Sequence, residues 1–197
     1  MSFDNDVKAF ESLYYLLYEV LVKFCMMYIN RREEAEEIVG DVFVKSWINR
    51  NSMQHVERPD TYLFVAVKNQ SINYLKKYSS IHVVLIDNEN DVDLIDTSNP
   101  QLQLERKELQ GYLDQSINSL PQQCRIVFKL VKEDGLKYKE VAEILNISPR
   151  TVQTQLFRAM QKLSISLSGY FSQPSKPMVG QSILNIALFA VFSKIFF

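Results

Sequence analysis

The chain has 197 residues and a mass of 23.0 kDa, which leaves room for two small domains rather than one large core. A formal net charge of −1 excludes indiscriminate binding to nucleic acids, so any cationic surface must be local. The sequence contains no glycine-rich phosphate loop, metal-ligand spacing or nucleophile motif. It therefore predicts no catalytic residue, no metal site and no cofactor.

Apolar residues at helical spacing predict a first, core-facing helix. They are Phe10, Leu13, Tyr14, Leu17, Leu21, Phe24, Cys25 and Tyr28. Cys25 lies in this stripe, and Cys124 lies in a later apolar stripe. The two cysteines indicate buried thiols in a reducing cytoplasm rather than a disulfide framework.

A second helix is predicted over Arg32–Asn49, and its two faces differ. The predicted buried face consists of Ala35, Ile38, Val39, Val42 and Phe43. The opposite face consists of Glu37, Gly40, Asp41, Val44 and Ile48. Acidic residues mixed with exposed aliphatic ones are typical of a docking surface for another protein. The alternative is that Val44 and Ile48 merely touch a neighbouring helix.

A loop over Asn51–Asp60 precedes a third predicted helix, Thr61–Tyr78. Its apolar residues lie on opposite sides, which predicts a helix packed on more than one side. Its polar positions include Lys68, Asn69, Asn73, Lys76 and Lys77. Lysine and asparagine at helical spacing could hold DNA, or they could form a solvated edge, and the spacing alone does not decide.

An acidic segment follows over residues 81–110. Its carboxylates are Asp87, Glu89, Asp91, Asp93 and Asp96. This composition predicts a flexible acidic linker.

The segment from Leu120 to Leu163 predicts a short helix, a turn and a longer helix. The short helix runs over Tyr138–Leu145, and Asn146 stands where the turn needs a left-handed residue, which asparagine tolerates. Ser148 can cap the longer helix by accepting a hydrogen bond from the amide of Arg150 or Thr151. A proline follows at the first helical position, Pro149, where its missing N–H is not needed.

The longer helix also has two distinct faces. Val152, Leu156, Ala159 and Leu163 form the predicted buried stripe. The opposite side carries Arg150, Gln153, Thr154, Phe157, Arg158 and Gln161. Arginine, glutamine and threonine can hydrogen-bond base edges or phosphates, and an exposed phenylalanine can contact a thymine methyl group. The pattern predicts a DNA-binding helix-turn-helix, with an ordinary helical hairpin as the alternative.

An apolar tail ends the sequence at residues 168–197. Its run ILNIALFAVFSKIFF, from Ile183, is shorter than the roughly 20 residues that span a bilayer. Three readings remain open for this tail: packing on one of the domains, binding a partner, or weak contact with a membrane.

Four blocks together make the chain resemble a known family. They read AEEIVGDVFVKSW from Ala35, YLFVAVKNQSINYLKK from Tyr62, LPQQCRIVFKL from Leu120 and YKEVAEILNISPRTVQTQLFRAMQKL from Tyr138. The order and separation resemble bacterial RNA polymerase sigma factors of the extracytoplasmic-function (ECF) group, over roughly Phe10–Leu163. One block alone would be weak evidence, because helix-turn-helix segments recur in many regulators.

The resemblance implies an all-α fold of two small helical domains joined by the acidic linker. The implied ranges are a region 2-like domain at 8–80, the linker at 81–110, a region 4-like domain at 111–167 and the tail at 168–197. In this family the matching linker runs along the polymerase channel, although a solvated tether fits the composition equally well.

The resemblance also implies roles for particular residues. Core polymerase would be bound by Glu37, Gly40, Asp41, Val44 and Ile48. The −10 promoter element would be read and opened by the loop Asn51–Asp60 together with Lys68, Asn69, Asn73, Lys76 and Lys77. The −35 element would be read by Ser148, Pro149, Arg150, Thr151, Gln153, Thr154, Phe157 and Arg158. Two positions depart from the family pattern, since Gly40 replaces a usual glutamine and Asn73 replaces a common aspartate.

The expected function is that of a cytoplasmic transcription initiation factor, not an enzyme. Its expected partners are core RNA polymerase, promoter DNA and an anti-sigma regulator. One alternative is a stand-alone helix-turn-helix regulator that binds a palindrome as a dimer. A second alternative is a membrane-associated adaptor that uses the apolar tail and the acidic linker. Binding to promoters only in the presence of polymerase distinguishes the first reading from both alternatives.

Overall fold

A computed structural model describes residues 3–53, 56–78 and 100–171 of the chain. The helices are α1 (Phe3–Cys25), α2 (Arg32–Ile48), α3 (Arg50–Met53), α4 (Pro59–Tyr78), α5 (Pro100–Asn118), α6 (Gln122–Phe128), α7 (Tyr138–Leu145) and α8 (Pro149–Phe171). A π-helical turn over Lys129–Glu133 continues α6. The described ranges contain no strand, and the predicted all-α fold class is confirmed.

The helices fall close to their predicted positions. The predicted helix at Tyr138–Leu145 matches α7, and the predicted helix at Arg32–Asn49 differs from α2 by one residue. Helix α5, in contrast, begins at Pro100, inside the range predicted as linker. A proline at the first helical position followed by glutamine, leucine, glutamate and lysine residues favours a helix there. The acidic cluster at 87–96 and the tail from residue 172 lie outside the described residues.

Close contacts divide the chain into two compact units. One unit contains α1 to α4, the π-helical turn, α7 and the start of α8 up to Gln153. The other contains α5, α6 and the rest of α8 from Thr154. This grouping follows spatial contacts, whereas the predicted domain boundaries followed the order of the chain.

The core of the first unit is apolar and aromatic. Helix α4 packs against α1, α2 and α7, as the apolar residues on its opposite sides predicted. The rings of Phe24 and Phe64 meet edge to face with centroids 5.1 Å apart. The predicted inward face of α2 is confirmed: Ala35, Ile38, Val39, Val42 and Phe43 are all buried. Burial of these side chains supplies the main stabilising free energy of this unit.

The second unit has its own small core. Ile117, Leu120 and Cys124 pack with Ala159 and Leu163 of α8, and Phe128 covers them. Nearby, the Tyr112 hydroxyl donates to the Ser166 carbonyl at 2.9 Å. The Tyr112 ring also stacks on the ring of Tyr170, with centroids 4.5 Å apart. These contacts hold α5 against α8.

Candidate DNA-binding and protein-binding surfaces

The turn between α7 and α8 has the predicted backbone geometry. Asn146 is left-handed, with φ 56° and ψ 51°, and its N–H donates to carbonyls in the last turn of α7. The Ile147 N–H donates to the Ala142 carbonyl at 3.0 Å. These bonds satisfy carbonyls that a helix end otherwise leaves unpaired, and they stop α7 at Leu145.

The start of α8 is fixed by a side-chain cap. The Thr151 N–H donates to Ser148 Oγ at 3.0 Å, and the two hydroxyl oxygens lie 2.8 Å apart. Pro149 is the first helical residue. The predicted cap is therefore confirmed, and such a cap stabilises a helix by about 1 kcal/mol.

The outward side of α8 is polar and exposed. Val152, Leu156, Ala159 and Leu163 are buried, as predicted. Seven of the eight predicted −35 residues have exposed side chains, and the eighth, Thr151, is half-buried. The seven are Ser148, Pro149, Arg150, Gln153, Thr154, Phe157 and Arg158, and the side chain of Phe157 is 47% exposed. The buried stripe leaves this face pointing away from the core.

The outer face of α2 combines carboxylates with exposed aliphatic side chains. Glu37 and Asp41 are exposed, and Val44 and Ile48 are 59% and 67% exposed. A Cβ atom added at Gly40 would meet nothing within 4 Å, so the surface is open there. In the described part of the chain, then, Val44 and Ile48 are not covered by a neighbouring helix.

The predicted −10 residues on α4 divide into two groups. Asn69, Asn73, Lys76 and Lys77 are exposed, and they recur every three or four residues on one side of the helix. Lys68 is only 9% exposed, and its Nζ donates to the Ile144 carbonyl at 2.7 Å. Burial lowers the pKa of the Lys68 ammonium. The Lys68 ammonium is thus engaged with a backbone carbonyl in this structure, and its contact with the −10 element stays a prediction.

A second contact ties α7 to the residue just before α4. Arg58 Nη2 lies 3.0 Å from Glu140 Oε1 and 3.2 Å from Asp60 Oδ2. The other carboxylate oxygen of Glu140 accepts from the Lys137 N–H at 2.8 Å. Neither Arg58 nor Glu140 was singled out from the sequence. Their pairing joins residues far apart in the chain, so helical spacing carries no signal for it.

The two thiols are free and buried, as predicted. Cys25 Sγ lies 3.2 Å from Ser71 Oγ. Burial raises the pKa of the Cys25 thiol, and the hydrogen bond with Ser71 opposes part of that shift. Cys124 Sγ donates to Gln155 Oε1 at 3.0 Å.

Across 3–53, 56–78 and 100–171, no three His, Cys, Asp or Glu side chains group as a metal site would require. No helix in the described part of the chain combines the length and hydropathy that a bilayer crossing needs.

A short helix, a left-handed turn residue and a capped helix with a polar exposed face define a helix-turn-helix DNA-binding protein. Two family models then match the chain: Sigma-70 region 2 at residues 13–81 and Sigma-70 region 4 at residues 110–163. Together they cover more than half of its length. The chain belongs to the sigma-70 family, in the extracytoplasmic-function group, and it is an RNA polymerase sigma factor that directs transcription initiation.

Relatives span most of the chain. The ECF RNA polymerase sigma factor SigM of Bacillus subtilis is 27% identical over 154 residues, which are 78% of this chain and 91% of SigM. The ECF RNA polymerase sigma-E factor of Escherichia coli K12 is 27% identical over 166 residues, 81% of this chain and 86% of that protein.

The fold is also similar to solved structures. The sigma factor RpoE of Bartonella quintana, in complex with the anti-sigma factor NepR, has a TM-score of 0.59 at 20% identity. The match covers 82% of this chain and 98% of that one. CnrH, in complex with the cytosolic domain of CnrY, has a TM-score of 0.50 at 19% identity, covering 82% of this chain and 89% of CnrH.

Proposed function

We propose that three surfaces of this sigma factor divide the work of promoter recognition in the cytoplasm. The exposed face of α8 reads the −35 element. The outer face of α2 binds core polymerase. The exposed C-terminal side of α4 contacts the −10 element.

The α8 face carries the proposal. Arg150, Gln153 and Arg158 offer donors that match the base edges of the major groove, and Phe157 offers an apolar surface for a thymine methyl group. The N-terminus of α8, which Ser148 caps, is the positive end of the helix dipole and favours an approaching phosphate. This face lies within the match to Sigma-70 region 4.

The α2 face supports a protein contact rather than a DNA contact. Glu37 and Asp41 would repel phosphates, since both carry negative charge. Val44 and Ile48 leave apolar surface in water beside them, and burying it against a partner is favourable. Glu37 and Asp41 therefore fit basic groups on a partner protein. Val44 and Ile48 fit an apolar patch on the same partner. This face lies within the match to Sigma-70 region 2.

The α4 surface supports a backbone contact with DNA. Lys76 and Lys77 are exposed in the last turn, and Lys77 Nζ lies 5.3 Å from the Tyr78 ring centroid. Asn69 and Asn73 lie on the same side and can hydrogen-bond bases or phosphates. Lysine charges near a strand strengthen its binding through counterion release.

We also propose that an anti-sigma protein regulates this chain. The solved structure of Bartonella quintana RpoE is a complex with an anti-sigma factor, and that of CnrH is a complex with a cytosolic domain of another protein. Tyr15 and Leu16 on α1 are both strongly exposed and offer such a partner a further apolar surface. Affinity purification of the tagged chain tests this partner. We expect an inhibitor, membrane-anchored or soluble, to co-purify with the unmodified chain and to be lost with the Leu16→Glu variant.

The experiment that tests the proposed function is a pair of measurements on the same genomic fragments. Run-off transcription with core polymerase is expected to give discrete products only when the chain is added. Nuclease footprinting is expected to show protection near −35 and −10 only when polymerase is present. Protection of a palindrome by the chain alone would instead favour the dimeric regulator, and failure to bind core polymerase would overturn the proposal.

A further inference from the structure

The buried thiol of Cys124 makes a hydrogen bond to a side chain on α8. Cys124 lies on α6 in the core of the second unit, and it is 4% exposed. Its Sγ donates to Gln155 Oε1 at 3.0 Å. A thiol is a weak donor, but in an apolar core the glutamine oxygen that accepts from it is held in place. The oxygen of Gln155 is therefore directed inward, toward α6.

The nitrogen of the same amide faces Gln123 at the surface. Gln155 Nε2 lies 3.5 Å from Gln123 Oε1, and this contact is exposed. Both contacts select one orientation of the amide, because turning it over would set two oxygens against each other and an N–H group against the thiol hydrogen. Cys124 and Gln123 together hold Gln155 with its donor side outward.

Gln155 lies at the edge of the exposed face of α8. At about 100° per residue it falls between Arg158, which is exposed, and Ala159, which is buried. Its own side chain is half-buried. When a helix lies in the major groove, the centre of its exposed face meets base edges and its flanks approach the sugar-phosphate backbone. The position of Gln155 thus favours a contact with the backbone of one strand.

The chemistry of the outward nitrogen favours the same partner. A glutamine that reads adenine uses both ends of its amide, the oxygen for N6 and the nitrogen for N7. The oxygen of Gln155 is directed at the buried thiol, so it cannot face a base edge at the same time. A phosphate oxygen only accepts, and an amide nitrogen with two hydrogens can donate to it and to Gln123 together.

We propose that Gln155 donates to a DNA phosphate beside the −35 element, and that Cys124 is the positioning residue that holds the Gln155 amide in the orientation this contact needs. This inference rests on the proposed reading of the −35 element by α8. A phosphate contact carries no sequence information, but it fixes how the helix sits in the groove. Cys124 therefore acts on promoter recognition without touching DNA.

Promoter fragments with single neutral phosphates test the contact. One phosphate at a time in and beside the −35 element is replaced by a methylphosphonate, and the affinity of core polymerase carrying the full chain is measured. The positions where replacement weakens binding make up the phosphate profile. We expect one of these positions, with a loss of about threefold to tenfold, to disappear with Gln155→Met, which has no amide. An identical profile for the variant and the unmodified chain would overturn the proposal.

Base substitutions separate a phosphate contact from base reading. Gln155→Met should lower the affinity for every −35 sequence by the same factor, because the lost contact does not depend on the base. If the variant instead lost discrimination at a single base pair, Gln155 would be a base-reading residue and the proposal would be wrong.

Two substitutions at Cys124 test its positioning role. Cys124→Ser keeps a donor for Gln155 Oε1, whereas Cys124→Ala has none. We expect the position that depends on Gln155 to stay in the phosphate profile of Cys124→Ser and to disappear from that of Cys124→Ala. A loss of core packing alone would not remove the sensitivity to one particular phosphate. Persistence of that position in Cys124→Ala would contradict the role of the thiol.

A matched control removes another amide from the same unit. Gln110 is exposed on α5, and Gln110→Met should leave the phosphate profile as it is in the unmodified chain. The two failures remain distinguishable. A chain that gives no −35 protection with polymerase contradicts the proposed function, whereas normal −35 protection with a profile that Gln155→Met does not change contradicts only this inference.

Discussion

Two buried serine hydroxyls are paired within their own helices. The Ser46 hydroxyl donates to the Val42 carbonyl at 2.7 Å, and the Ser71 hydroxyl donates to the Val67 carbonyl at 2.8 Å. Each bond runs back one helical turn, so the hydroxyl needs no partner from another helix. Thr61, in the first turn of α4, is buried, and nothing in the described part of the chain pairs with its Oγ1.

Thr61→Val is expected to stabilise the protein. The substitution keeps the branched shape and removes a buried hydroxyl that has exchanged water for no partner. We expect the free energy of unfolding to rise by about 1 kcal/mol, as measured by urea denaturation.

Thr151→Val is the matched control for this change, because the Thr151 hydroxyl lies 2.8 Å from Ser148 Oγ. It should leave stability unchanged or lower it. Equal stabilisation by the two variants would mean that the unpaired hydroxyl of Thr61 is not the cause.

Helix α2 shows how one element serves both the core and a surface. Five apolar side chains on its inward face are buried in the core. On its outward face Gly40 has no side chain, and nothing lies within 4 Å of where a Cβ atom would be. Glycine inside a helix lowers its stability relative to alanine, since it loses more backbone freedom on folding. The sequence thus retains a destabilising residue at the centre of the proposed polymerase-binding face.

Gly40→Ala is expected to raise the free energy of unfolding by about 1 kcal/mol, because the added methyl group meets no neighbour. Thermal unfolding of the purified chain measures this change. Gly111→Ala in α5 is a suitable control, because it is an equally open helical position away from α2. If Gly40 matters for polymerase binding, only Gly40→Ala should alter the affinity for core polymerase.

Across the whole molecule, the division of labour predicts two classes of variant. Arg158→Ala should weaken recognition by about 1–3 kcal/mol, and only at promoters whose −35 sequence it reads. Glu37→Lys should lower activity at every promoter by a similar factor, because it changes the polymerase contact. Run-off transcription on several promoters measures both effects.

Charge changes elsewhere on the surface provide the controls for these variants. Lys8→Ala and Glu11→Lys alter exposed positions on α1 and should leave transcription unchanged. The same promoter profile for Arg158→Ala and Glu37→Lys would contradict the division.

Local signals made much of this molecule predictable from its sequence. Asn146, Ser148 and Pro149 mark helix ends within a few residues of the backbone groups that they satisfy, so α7 and the start of α8 were located correctly. The buried faces of α2 and α8 followed from spacing alone. The burial of Lys68 could not be predicted, because its acceptor lies 76 residues away. Spacing on α4 also could not distinguish a lysine held by a carbonyl from one that faces solvent.

The left-handed backbone at position 146 also limits which amino acids evolution can place there. A residue with a Cβ atom other than asparagine or aspartate costs roughly 1–2 kcal/mol in this conformation, and glycine costs little. If codon 146 is randomised and cells are selected for transcription from a dependent promoter, the survivors should be mostly Asn, Gly and Asp. A population rich in valine or isoleucine would mean that the corner between the two helices tolerates a different shape.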